Sequence, residues 1–181
     1  MCFSFKAYSH PHVFVDAFVE FEIDKDGNLV LLKQTWEFDE MMSESLKEDN
    51  DTNADGVFSK EEIKKASDTF MKNMPEYDFY THMFVNDKSK KIKKAKNFNM
   101  FIKDDLVNFY FEIEFENQIN PFKDKVDIGL YDGEFFVDIA YKTKGIKVNS
   151  NKECKFKIFE DDKHKIYYDL VSPKTISVCR D

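Results

Sequence analysis

From Val13 to Ile23 the chain alternates at a period of two: Val13, Val15, Ala17, Val19, Phe21 and Ile23 point one way, and His12, Phe14, Asp16, Phe18, Glu20 and Glu22 the other. That spacing gathers an apolar face on a strand and scatters it around a helix. Asp24-Lys25-Asp26-Gly27-Asn28 supplies a turn, and 29–36 reads as the return strand of a hairpin. Segments 77–85, 97–102, 106–115, 126–130, 135–141, 155–159 and 175–179 are also short and aromatic or β-branched, with Asp, Asn, Lys and Gly clusters between them. With 20 Phe but only five Gly and four Pro in 181 residues, the chain has the material for strands and a core rather than for disorder. The expectation is one mainly β (α+β) domain, an antiparallel β-sandwich with a single helical insertion.

The insertion is expected at about 38–74. Phe38, Met41, Met42 and Leu46 recur at helical spacing with acids in the first turn, and 61–74 is a second helix with Ile63, Ala66, Phe70 and Met74 on one face, stopped by Pro75. The loop between them carries oxygen donors at the spacing of an EF-hand-type calcium loop. Asp51, Asn53 and Asp55 hold the first, third and fifth positions, Gly56 the sixth, Val57 offers its carbonyl, Ser59 is ninth and Glu62 twelfth. Ca²⁺ takes six to eight hard oxygens, which this set supplies, with Glu62 closing the shell through two. A lone loop of this kind in a β-domain suggests a structural ion rather than a sensor.

With 27 Lys and Arg against 35 Asp and Glu, the net charge of −8 argues against a nucleic-acid partner. The basic run 88–96 is read as a solvated hairpin. No apolar stretch reaches the roughly 18 residues of a membrane span, so a soluble chain is expected, and a monomer. Residues 1–9 read as the remnant of a signal peptide, with Ala7 and Ser9 at small-residue positions of a cleavage site. An exported chain would pair Cys154 with Cys179 in a disulfide. Cleavage after Ser9 would make His10 an N-terminus that chelates through amine and imidazole together. Pro11 lacks an N–H, which closes the square-planar copper mode and leaves His10, His12 and Asp16 as ligands for tetrahedral Zn²⁺ or an open nickel, cobalt or copper site. His82 and His164 are further ligands by residue type alone.

His10-Pro11-His12-Val13-Phe14-Val15-Asp16-Ala17, Trp36 with Phe38-Asp39-Glu40, the loop from Asp51 to Glu62, Tyr77-Asp78-Phe79-Tyr80-Thr81, Tyr131-Asp132 and Phe135-Phe136 follow one another here. In that order they resemble the bacterial periplasmic family known as domain of unknown function 1007, often labelled a periplasmic component of an ABC-type transport system. The resemblance spans 10–181. It implies a periplasmic location and an accessory role beside nickel/cobalt/zinc-type inner-membrane permeases, with zinc leading and His10, His12 and Asp16 capturing the metal. A calcium-dependent interaction module without a transition metal, and a copper enzyme using the N-terminal histidine, are the alternatives. No Ser-His-Asp or Cys-His nucleophile is legible, so a non-enzymatic role is expected.

Overall fold

A computed structural model describes residues 11–115 and 118–179. Ten strands form two five-stranded sheets. The first has the order β5-β6-β2-β1-β8, built from β1 (Val13–Ile23), β2 (Leu29–Phe38), β5 (Lys96–Lys103), β6 (Leu106–Glu114) and β8 (Val137–Asn149). The second has the order β4-β3-β7-β10-β9, built from β3 (Thr81–Val85), β4 (Lys88–Lys90), β7 (Val126–Leu130), β9 (Phe156–Glu160) and β10 (Lys174–Val178). Both sheets contribute to one hydrophobic core, in which Phe21, Phe111, Leu32 and Ile113 meet Phe79, Met83, Ile128 and Ile176. The alternation in β1 does what its period requires: Val15, Ala17, Val19, Phe21 and Ile23 are all buried.

The sheets are antiparallel except at one place. β1 and β8 run parallel, with Val13 opposite Val137 and Glu22 opposite Asn149. The connection to β8 comes from the other sheet through 131–136, so the chain enters at the same end where β1 begins and cannot pair head to tail. The register slips between Ala17 and Val19, where the Phe18 ring lies over β8 so closely that a Cβ on Gly145 would sit 2.3 Å from it. Only glycine fits there.

Two α-helices, α1 (Glu40–Asn50) and α2 (Lys60–Asn73), are the helical insertion between β2 and β3. Phe38 ends β2 rather than opening α1, and of the expected apolar face Met42 and Leu46 pack on the core while Met41 stands 71% exposed. The helix is also fixed by Ser43, fully buried, whose Oγ donates to the Phe38 carbonyl and accepts from Val107 N–H. In α2 the expected face holds, with Phe70 buried and Ile63, Ala66 and Met74 packed on the core.

Residues 77–80 are not strand as the sequence suggests. They finish a 3₁₀ segment, Met74–Tyr80, in which Asp78, Phe79 and Tyr80 have φ of 49°, 54° and 49°. Three consecutive left-handed non-glycine residues cost energy that the surroundings must offset. The Phe79 carbonyl accepts from Thr81 Oγ1, the Tyr80 carbonyl accepts from Tyr131 N–H, and Phe79 is buried at 1% exposure. The segment 135–141 likewise starts as loop, with Phe135 at φ 54°, and the strand runs from Val137 well past 141. The basic run 88–96 begins as the expected hairpin, with β4 exposed, and then crosses between the sheets, anchored by buried Ile92. Cys154 and Cys179 are bonded, closing a separation of 25 residues. Among the described residues no helix is long and apolar enough to cross a membrane.

Candidate metal centre

The loop between α1 and α2 is tied through its acids. Asp51 Oδ1 and Oδ2 accept from Asp55 and Gly56 N–H at 3.2 and 2.8 Å, Asn53 Oδ1 from Asp55 N–H at 3.1 Å, and Asp55 Oδ1 from Val57 N–H at 3.0 Å. Gly56 sits at φ 81°, left-handed backbone that a side chain would strain even though nothing lies within 4 Å of its missing Cβ. Glu62, 7% exposed, bridges the two ends: Oε1 accepts from Thr52 N–H and Oγ1, both at 2.6 Å, and Oε2 accepts from Ser59 N–H at 2.8 Å. Ser59 Oγ accepts from Glu62 N–H in return, a capping box on α2. The Thr52 hydroxyl and the Ser59 and Thr52 amides hold the Glu62 carboxyl down at about 2, so it is anionic throughout the working range. The Asp51, Asp55 and Glu62 carboxylates are turned onto backbone amides. No group of three His, Cys, Asp or Glu side chains converges in a metal-holding arrangement among the described residues.

The second candidate lies at the end of the molecule where β1, β3, β8 and β10 begin and β2 and β7 finish. His12 is exposed there: its N–H donates to the Phe136 carbonyl at 2.9 Å, and its ring lies 4.9 Å from that of Phe136. His10 falls outside the described residues. Asp16 shares the face of His12, but four residues of strand separate them by about 13 Å. Its carboxylate is also paired with Lys142 at 2.5 Å. His82 and His164 lie on the outer face of the other sheet. The His82 ring stacks on Tyr131 with centroids 3.9 Å apart and Nε2–H donates to the Tyr131 carbonyl, while His164 stacks on Phe84 and its Nδ1 holds Asp161 at 2.7 Å. Burial pushes the His82 imidazole below its usual value despite the nearby Asp78 and Asp132.

Two residues organise this end that the sequence singles out only as parts of longer motifs. Asp39 caps α1 by accepting from Met42 N–H at 2.8 Å, and its other oxygen accepts from Phe14 N–H at 3.0 Å, so one carboxylate joins α1 to β1 two residues from His12. Asp132, 6% exposed, accepts from the N–H groups of Glu134, Phe136 and Val137 and shapes the loop against which His12 rests. An Asp followed by Gly is the signal for that loop.

Charge is sorted as well. Five segments that reach this end, 11–14, 37–41, 74–80, 131–136 and 167–170, together carry eight Asp or Glu and no Lys or Arg, while Lys174 opens β10 at the same end and Lys142 pairs with Asp16. At the outer edge of the same end, the β5–β6 turn adds Lys103 against Asp104 and Asp105. The field at His12 therefore favours cations.

A family profile described as Protein of unknown function (DUF1007) matches residues 1–172. The chain belongs to that family. An "Uncharacterized protein" of Haemophilus influenzae is 24% identical over 171 residues, covering 91% of this chain and 81% of the relative. The "Uncharacterized 15.5 kDa protein in trpE 3'region" of Spirochaeta aurantia is 25% identical over 97 residues, covering 54% of this chain and 69% of the relative. The DUF1007 match takes in both candidate sites, the calcium-type loop and the histidine end.

Proposed function

We propose that this DUF1007 protein is a periplasmic metal-binding accessory of transition-metal transport. It takes Zn²⁺, with nickel, cobalt and copper as competing ions, at His10 and His12, and holds a structural Ca²⁺ in the 51–62 loop. The observation that carries the reading is the acid-rich surround of His12, eight Asp or Glu in five segments. It concentrates divalent cations beside an imidazole that reaches solvent. Asp16 joins that site only by leaving Lys142.

The loop supports the calcium half. Asp51, Asn53, Asp55, Ser59 and Glu62 with the Val57 carbonyl make an all-oxygen donor set, which suits Ca²⁺ and not a soft metal. The EF-hand comparison rests on that set and on the left-handed turn at Gly56. Both helices start or finish at the histidine end, α1 at Asp39 and α2 through Met74–Tyr80, so an ion in their connecting loop sits at their far turn, apart from the histidine site. The Cys154–Cys179 disulfide supports export to an oxidising compartment. An inner-membrane permease is the partner that this reading requires.

The test is calorimetric titration of the chain beginning at His10 with Zn²⁺ and with Ca²⁺. His10→Ala and extra residues before His10 each weaken zinc binding, and Glu62→Gln removes calcium binding. Zinc binding that survives both N-terminal changes sinks the site. Calcium binding alone leaves the interaction module, and copper with oxidase turnover favours the enzyme.

A further inference from the structure

The described chain exposes eight large hydrophobic side chains, and six of them, Phe14, Met41, Tyr77, Phe136, Tyr168 and Leu170, belong to the five segments around His12. Those segments make up 26 of the described residues, so the exposure is concentrated rather than scattered. Contacts run between these segments. His12 meets Phe136, Asp39 bonds Phe14 one residue before Glu40 and Met41, and Tyr77 lies 5.5 Å from Tyr80, whose carbonyl holds Tyr131. Phe135 lies 6.0 Å from Tyr167, and Tyr167 5.5 Å from Tyr168. Apolar side chains gathered in this way at one end mark an interaction surface, because a solvated surface has no reason to collect them. Aromatic and Met side chains are also the types enriched at protein interfaces.

Charge decides which partner. The segments hold eight acids and no Lys or Arg, so an anionic membrane or a second copy of this same end is repelled. A cationic apolar surface is attracted. We infer that the histidine end docks a cationic amphipathic segment of a partner protein, its apolar side chains seated on the Tyr168, Leu170, Met41 and Phe14 patch and its Lys or Arg on the acidic rim of Glu40, Glu134 and Asp169. The inference stands whether or not His12 carries a metal. If it does, the same partner sits where the ion would be handed over.

The probe is a fluorescent peptide of alternating Lys and Leu, with a Glu and Leu peptide of equal length as control, followed by anisotropy on the full chain. The Lys peptide binds, the Glu peptide does not, and added salt weakens the complex. Tyr168→Ser with Leu170→Ser weakens binding by at least about fivefold, and so does Glu40→Gln with Asp169→Asn. Asp26→Asn with Glu153→Gln makes the same change in net charge at the opposite end and leaves binding intact. All six positions are exposed, so the variants fold, which thermal unfolding checks. No binding of the Lys peptide, equal binding of the Glu peptide, or equal loss in the Asp26 and Glu153 variant overturns the inference. So does stronger binding to phosphatidylglycerol vesicles than to the peptide, or self-association lost in the Tyr168 and Leu170 variant. Zinc and calcium titrations of these variants are unaffected by such a failure, which keeps it separate from a failure of the metal reading.

Discussion

Gln34 is fully buried in the middle of a directional chain of hydrogen bonds that ties the two sheets together beneath the histidine end. Trp36 Nε1–H donates to Gln34 Oε1 at 3.0 Å, Gln34 Nε2 donates to Thr81 Oγ1 at 2.9 Å, and Thr81 Oγ1 donates to the Phe79 carbonyl at 3.0 Å. Gln34→Leu keeps the volume and removes the middle link. Trp36, only 3% exposed between Phe111 and Tyr80, is left with an unsatisfied indole N–H, which costs about 1–3 kcal/mol. The lost bond to Thr81 adds about 1 kcal/mol, since Thr81 keeps its Phe79 acceptor. The variant therefore loses about 2–4 kcal/mol in urea unfolding at constant m-value, with Trp36 fluorescence as the probe. Thr81→Val breaks the neighbouring link, and the double mutant falls short of the sum by about 0.5–3 kcal/mol. Loss of less than about 0.5 kcal/mol in Gln34→Leu, or strict additivity with Thr81→Val, refutes the network as a stabilising unit.

Replacing both Cys154 and Cys179 by Ala opens a loop of 25 residues, worth about 3.5 kcal/mol on the chain-entropy account, and lowers the Tm by about 7–14 °C in calorimetry. Ser43→Ala leaves the Val107 N–H buried without its acceptor and lowers stability by about 1–3 kcal/mol; faster hydrogen exchange at Val107 locates the effect. The pH dependence follows from His82. Its imidazole is held neutral by burial, so the unfolded chain takes up a proton near 6.5 that the fold refuses, and stability present above that pH declines as the solution is made more acid. Urea midpoints between pH 8 and pH 5 fall in the wild type and fall less in His82→Gln.

Strand positions were legible where one face is buried and alternation is enforced, as in β1, and where a short run is buried on both faces, as in β7; both begin and end where the residues indicate. The failures share a cause. Tyr77-Asp78-Phe79-Tyr80 has the composition of a strand, yet the carbonyls of Phe79 and Tyr80 are caught by Thr81 and Tyr131, and the backbone turns left-handed. No local pattern encodes a partner as distant as Tyr131. The parallel pairing of β8 with β1 is likewise a matter of which sheet the chain leaves, not of the residues in β8. In α1 the apolar pattern found Met42 and Leu46 but missed Ser43, because a hydroxyl with two backbone partners can be a core residue. At the candidate sites, the spacing of the 51–62 donors was readable because ligands of one loop are adjacent in sequence. The acidic, aromatic surround of His12 was not, being assembled from five separate segments.

In the proposed reading two different metals occupy two different places. The direct measurement is zinc affinity of the chain beginning at His10, titrated in about 1 mM Ca²⁺, the range in which extracellular calcium modules fill. His12→Ala then weakens zinc by at least the roughly tenfold that losing even a supporting group costs, while Glu62→Gln leaves it unchanged. Zinc binding that is indifferent to His12→Ala, or that disappears with Glu62→Gln, contradicts that reading.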